Sequence, residues 1–168
     1  MSLSAALLPE FDQEMKSTRR VLERVPDERL EWRPHPKSRP LGPLASHIAD
    51  IPTRIVDVIE LESLDIMPQV PRPRPAPAAS RQEILARFDA NVAAARAALA
   101  GAADAHLVEP WSLLAGGRAL FTLPRAAAVR ALVLSHIIHH RAQLGVYLRI
   151  NDIAVPAIYG PSADEGVG

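Results

Sequence analysis

The sequence predicts an all-α protein: a four-helix bundle with one long crossover and a short hairpin before the last helix. Three observations point there. Four segments repeat apolar residues at helical spacing, almost nothing alternates as a strand would, and one proline-rich stretch separates the second segment from the third.

In the first segment Phe11, Met15, Thr18, Leu22 and Val25 recur one turn apart with charges between them. Pro9 suits the opening turn of that helix and Pro26 its end. The second segment spans about residues 41 to 61, its stripe supplied by Leu44, Ile48, Ile51, Ile55, Val58 and Ile59. Pro52 lies inside it and removes a backbone donor, which predicts a local kink and not a boundary. The stretch "MPQVPRPRPAPAAS" cannot be helical and reads as an extended spacer in which Arg72 and Arg74 are solvated. Ser80 then caps the third helix, with Glu83 completing a capping box. Ile84, Leu85, Phe88, Val92, Ala95 and Leu99 form the buried face of that helix, and its many alanines allow close approach. Around "AGGRA" a hairpin is favoured over an irregular loop. The fourth helix runs from near Pro124 to about Arg149, and the tail after it is loop-like.

Composition narrows the function. The 168 residues suit a single domain, 1–168, since halving the chain would leave two marginal cores. Nineteen basic residues balance nineteen acidic ones, which argues against a nucleic-acid partner bound through bulk charge. With no cysteine there is neither a disulfide nor a thiolate ligand, so any metal must be held by nitrogen and oxygen. The start lacks the basic and apolar regions of a signal peptide, and no apolar run reaches the roughly 18 residues of a membrane span. A soluble, cytoplasmic protein without a membrane partner is expected.

Three of the six histidines fall within "SHIIHH". His136 and His140 lie about 40° apart on one helical face, close enough for two imidazoles to converge on one ion. His139 points toward the flank. The same projection places Val129, Gln143 and Tyr147 on the histidine stripe. Such a pair is more often structural or exposed than metal-binding, so the question is whether a third ligand exists. His47 supplies one: it sits between Leu44 and Ile51 on the apolar side of the second helix, where an unpaired polar ring would cost on the order of 1–3 kcal/mol. Convergence of His47, His136 and His140 would satisfy all three rings and leave coordination positions for water or substrate. Imidazole donors suit zinc, nickel, iron or copper better than magnesium or calcium. Asp50, a turn beyond His47, serves either as a carboxylate that orients an imidazole or as a solvated helix charge. His35 and His106 read as surface residues.

Two longer stretches, "WRPHPKSRPLGPLASHIADIP" at 32–52 and "SHIIHHRAQLGVYLRINDIAVPAIYGPSADE" at 135–165, resemble the DinB-like (DinB/YfiT) family. With the tryptophan near 111 and the helix order, the resemblance spans nearly the whole chain. It implies an up-down-down-up four-helix bundle, a homodimer, and a divalent metal on His47, His136 and His140, with zinc or nickel ahead of iron or manganese. Family members of known activity include thiol-dependent S-transferases and a mycothiol-dependent isomerase. One departure is Pro40, which replaces the hydroxyl residue that often caps the second helix; Ser38 is the candidate substitute.

The first functional reading is a metal-dependent enzyme acting on a small-molecule substrate, with a low-molecular-weight thiol as the expected partner, or a related hydrolase. Arg54 is then a candidate for a substrate carboxylate, and Gln143, Tyr147 and Asn91 for hydrogen bonds, each set against a plain packing or surface role. The second reading is a non-catalytic metal-binding stress-response or interaction protein whose metal is structural. In a third, the histidines are merely hydrogen-bonded and no metal binds.

Overall fold

The structure, a computed structural model, describes residues 2–71, 73 and 75–166. It is mostly helical, and a small three-stranded sheet accompanies the helices. Helix α1 (Leu3–Leu22) is capped by Ser2, whose hydroxyl accepts from the Ala5 amide at 3.2 Å. Its start corrects the sequence expectation: Pro9 lies inside the helix rather than in its opening turn. Phe11, Met15 and Leu22 are buried against the core. After a short turn at Asp27–Arg29 the chain doubles back onto itself, the Leu41 amide donating to Trp32 O and the Gly42 amide to Leu30 O, each at 2.8 Å. A side chain at Gly42 would put its Cβ 3.0 Å from Leu30 Cβ, so this crossing needs glycine.

The second predicted helix is two, α2 (Leu41–Asp50) and α3 (Thr53–Glu60), parted at Ile51 and Pro52. Both parting residues keep right-handed helical angles, so the rod continues past the break. The carbonyl that Pro52 cannot reach, Ile48 O, accepts instead from the Ile51 amide at 3.3 Å. Neither Ser38 nor any other side chain caps α2: Pro40 occupies the cap position without a side-chain bond.

Strand β1 (Ser63–Asp65) lies parallel to β2 (Pro110–Ala115), which pairs antiparallel with β3 (Arg118–Pro124). The hairpin expected at "AGGRA" is present, its turn made by Gly116 and Gly117 at φ +59° and +79°, the positive angles a tight hairpin requires. The Asp65 carboxylate accepts from both glycine amides, at 3.0 and 2.7 Å, tying β1 to the turn. Those amide donors hold its pKa below the ordinary carboxylate value, and the Met67 amide contributes most. The sheet is what the all-α expectation left out: β1 spans three residues, too few to display alternation.

The proline-rich stretch carries no helix over its described residues; Arg72 and Arg74, expected to be solvated, lie outside them. It is pinned where it re-enters the core, the Ala78 amide donating to the buried Ser46 hydroxyl at 2.9 Å. Helix α4 (Arg81–Gly101) begins as expected, the Ser80 hydroxyl accepting from the Glu83 amide at 3.2 Å. The Glu83 carboxylate accepts from the Ala79 amide, one residue further back than in an ordinary capping box. A short helix α5 (Asp104–Leu107) leads to the hairpin.

The last predicted helix is α6 (Arg125–Val129), a π-helical turn at Arg130–Leu134, and α7 (Ser135–Ile150), joined without a break. In the widened turn the Ser135 amide reaches back five residues to Arg130 O. Helix α1 and the α2–α3 rod each pack against α4, and α1 and α2 each also touch α7. The core between them holds Phe11, Ile48, Ile84, Phe88, Ile137 and Leu144, all buried. Among the described residues no helix is long and apolar enough to cross a membrane.

Candidate metal centre

His47 comes from the middle of α2, where Leu44, Ile48 and Ile51 bury the adjoining face of the rod. His136 and His140 come from the first turns of α7, just past the π-helical turn. Packing of α2 on α7 brings the three imidazoles together, although 89 residues separate His47 from His136. His47 Nε2 is 3.3 Å from His136 Nε2, and His136 Nε2 is 2.9 Å from His140 Nε2. One ligand nitrogen from each ring lies within 4.8 Å of the others, and all three residues are half-buried.

The outward nitrogens decide what the inward ones carry. His136 Nδ1 faces the carbonyl of Leu132 at 3.3 Å, and His140 Nδ1 faces the amide oxygen of Gln143 at 2.7 Å. Both oxygens only accept, so each Nδ1 donates and each Nε2 of a neutral ring is a lone pair. Burial, the largest cause for each, lowers the pKa of all three rings. His47 falls furthest, to about 3, with the charge of Arg39 next and smaller contributions from His140, His136 and Arg54. The rings are therefore neutral at physiological pH, with the lone pairs of His136 and His140 turned on each other at 2.9 Å. Such a contact repels unless a cation lies between the nitrogens.

Spacing and donor chemistry both fit a metal. Zinc–imidazole bonds of about 2.0–2.1 Å place neighbouring ligand nitrogens about 3 Å apart, close to the two separations seen here. The ring nitrogens not aimed inward on His136 and His140 already have acceptors, which is how ligating histidines are ordinarily held. The three-histidine group can hold a metal ion.

Gln143, one of the sequence candidates, joins the cluster through its bond to His140 and is otherwise exposed. Tyr147, a further turn along α7, donates its hydroxyl to Arg39 O at 3.2 Å and sits edge-on to Trp32, ring centroids 5.5 Å apart. Arg54 bears electrostatically on His47 and His136, but its guanidinium pairs with Asp57 at 2.7 Å. His139 is exposed, its ring 4.8 Å from that of His140. Asn91 is turned to another task, donating to Ala49 O at 2.9 Å and so tying α4 to α2. Asp50 makes no bond to an imidazole; Arg87 lies 3.7 Å away, and burial raises its pKa against the pull of that arginine. The expectation that Asp50 orients a ligand therefore fails. His35 is exposed as expected. His106 is partly exposed, and its ring is also engaged, bridging Ile59 O at 2.8 Å and Glu109 at 2.9 Å and anchoring α5 to α3. Val129 lies upstream of the widened turn, and the extra residue there breaks the projection that put it on the histidine stripe.

Sequence reasoning passed over Arg39 and Trp32, which stand in the segment leading into α2. It also passed over the buried pair that holds the tail. Arg141 lies 2.7 Å from the Glu14 carboxylate, and the Tyr159 hydroxyl accepts from Arg141 at 2.6 Å while donating to Glu14. That arrangement gives a structural reason for the arginine after His140 and for the tyrosine of "VPAIYG".

Comparison with known proteins bears on the family and the fold. A family model described as the DinB superfamily matches residues 10–144. A solved structure of a DinB-like protein from Bacillus cereus is 24% identical, with a TM-score of 0.70, over 90% of this chain and 95% of that one. A DinB-like protein from Bacillus subtilis, YjoA, is 16% identical, with a TM-score of 0.68, over 91% and 96%. Among curated proteins none matches.

Proposed function

Because the chain belongs to the DinB superfamily, we propose that it is a divalent-metal-dependent enzyme that joins a low-molecular-weight thiol to an electrophile, or carries out a related hydrolysis. In this reading His47, His136 and His140 are the metal ligands, and the helical rods are a four-helix bundle that pairs into a homodimer. The supporting observation is the meeting of three Nε2 atoms, those of His136 and His140 turned in as lone pairs, with no carboxylate bonded to them among the described residues. A divalent ion bound there supplies a Lewis-acid position that lowers the pKa of a thiol or a water. Zinc or nickel suits the imidazole donors, with iron or manganese as further candidates.

The chain supplies orientation and field. Leu132 and Gln143 fix the tautomers of His136 and His140, so no proton has to leave those nitrogens when the metal enters. Arg39 and Arg54 add positive charge beside His47, which favours a thiolate over a thiol. Gln143, Tyr147 and Arg54 are the proposed substrate contacts. In the transfer the sulfur forms a bond to the electrophilic carbon, the leaving group departs with the old bonding pair, and the thiol proton passes to solvent.

The test starts from protein purified without an affinity tag, its metal content measured by elemental analysis. Conjugation of a panel of thiols to 1-chloro-2,4-dinitrobenzene is then followed by absorbance. Turnover that disappears on chelation, returns on metal addition and is absent in His140→Ala is the expected result. A full complement of tightly held metal with no turnover on any thiol would move the site to a structural role.

A further inference from the structure

The face of α7 turned away from the histidines carries a hollow. Gly145 projects about 140° from His140 and about 180° from His136 around the helix axis. On that side α7, the end of α1 at Val21 and the tail residues Val155, Ile158 and Tyr159 form the walls of a cavity of about 390 Å³. The tail wall is firmly built. The Ser162 hydroxyl donates to Val155 O at 2.7 Å, and the Val155 and Ala157 amides donate to the Asp164 and Glu165 carboxylates at 2.8 and 3.0 Å. Those carboxylates pair in turn with Arg149 and with Arg20 and Arg24, which fastens the tail to α7 and α1.

Gly145 leaves the space open. Beyond its own helix, a Cβ there would meet one atom within 4 Å, Val155 Cγ1 at 3.9 Å, so the packing of the protein tolerates a side chain at this position. Glycine inside a helix is destabilising relative to alanine, and here the missing side chain becomes cavity volume. The polar groups of the lining are engaged within the chain: Arg141 with Glu14 and Tyr159, Arg149 with Asp164, and the Ser162 hydroxyl with Val155 O. A charged ligand would therefore meet partners already taken, whereas an uncharged one displaces only water from apolar walls. The volume exceeds the roughly 150 Å³ that accommodates one benzene and falls at the small end of ligand pockets. The Tyr159 ring adds an aromatic wall, with the Arg141 guanidinium 5.2 Å from its centroid. We propose that this cavity binds an uncharged aromatic molecule of about two fused rings, at a site separate from the metal centre and independent of its chemistry. A second copy of the chain is the rival occupant, but one or two side chains fill a hollow of this volume, and a stable interface needs roughly 800 Å² of each partner.

The full chain is titrated with N-phenyl-1-naphthylamine, an uncharged dye that brightens in apolar surroundings. Saturation at one dye per chain, unchanged as protein concentration is raised, is the expected result. Naphthalene should displace the dye and naphthalene-2,6-disulfonate should not. Gly145→Leu fills the cavity from the helix and Ile158→Trp from the tail; each should weaken binding by about tenfold or more, since two lost methylene contacts suffice for that factor. Ala127→Leu fills a second hollow of about 380 Å³ between α1, α5 and α6, and should leave binding unchanged. Circular dichroism checks that each variant is folded. The proposal is overturned if the dye does not bind one to one, if the disulfonate competes as well as naphthalene, if either folded filling variant keeps the wild-type affinity, or if Ala127→Leu abolishes binding. Binding that weakens as protein concentration rises would give the cavity to a second copy of the chain.

Discussion

His140→Ala separates a metal site from a hydrogen-bonded histidine cluster, because the two arrangements respond in opposite ways when metal is absent. In the metal-free protein the Nε2 of His140 faces that of His136 at 2.9 Å without a proton between them, and its Nδ1 is satisfied by an exposed glutamine. Alanine there removes a repulsive contact and a half-buried ring, so metal-free stability should change by less than about 1 kcal/mol. Metal should stabilise the wild type by about 2.7 kcal/mol at a free concentration one hundred times its Kd. For a chain of this size each kcal/mol moves the melting temperature by roughly 2–4 °C, so the expected rise is about 5–11 °C. In His140→Ala that rise should shrink to near zero at the same metal concentration. Differential scanning calorimetry on chelated and metal-loaded samples of both proteins reads all four values. If the three rings were instead bonded to one another, the variant would lose about 1–3 kcal/mol without metal, and neither protein would respond to it. That pattern would refute the metal site.

Other perturbations have equally definite expectations. Arg141→Met strands the buried Glu14 carboxylate, so urea denaturation should show a loss of about 3 kcal/mol, most of it recovered in Glu14→Gln/Arg141→Met. Gln143→Leu removes the acceptor that orients His140, and competition with a chromophoric chelator should show metal affinity falling about tenfold. The pH dependence of the metal-free protein follows from His47, whose folded pKa of about 3 lies below its ordinary 6.5. The unfolded chain takes up that proton first, so stability is full above pH 6.5 and drains as pH falls toward 3. With the ring half-exposed, the share lost between pH 7 and pH 5 is discounted to about 1 kcal/mol, and His47→Leu should flatten that part of the curve. Ser80→Ala should cost about 1 kcal/mol in the same denaturation assay by uncapping α4.

What sequence alone could reach follows from how local each feature is. The pairing of His136 with His140 is a matter of helical spacing, and His47 could be added because a histidine on an apolar stripe needs a partner. The capping of α4 and the glycine turn of the hairpin were legible for the same reason, since each is settled within a few residues. Arg39 was not: its relation to Tyr147 spans 108 residues and runs through a backbone carbonyl, which carries no side-chain signature. Asp50 misled because it lies one turn from His47 in sequence, while the packing of α4 gives it Arg87 instead. Pro9 was placed at a helix start by its usual preference, but Ser2 already caps the helix ahead of it. The widening at Arg130–Leu134 left no trace in a run of alanine, leucine and valine, because such residues fit an α-turn as readily as a π-turn.

That five-residue widening divides the last helix into two stretches indexed separately. The spare residue offsets the His136 and His140 face by about 100° from where an unbroken α-helix begun at Arg125 would carry it. Excising one residue from Arg130–Leu134 would remove that offset, swinging one end of the rod by about 100° relative to the other and turning His136 and His140 away from His47.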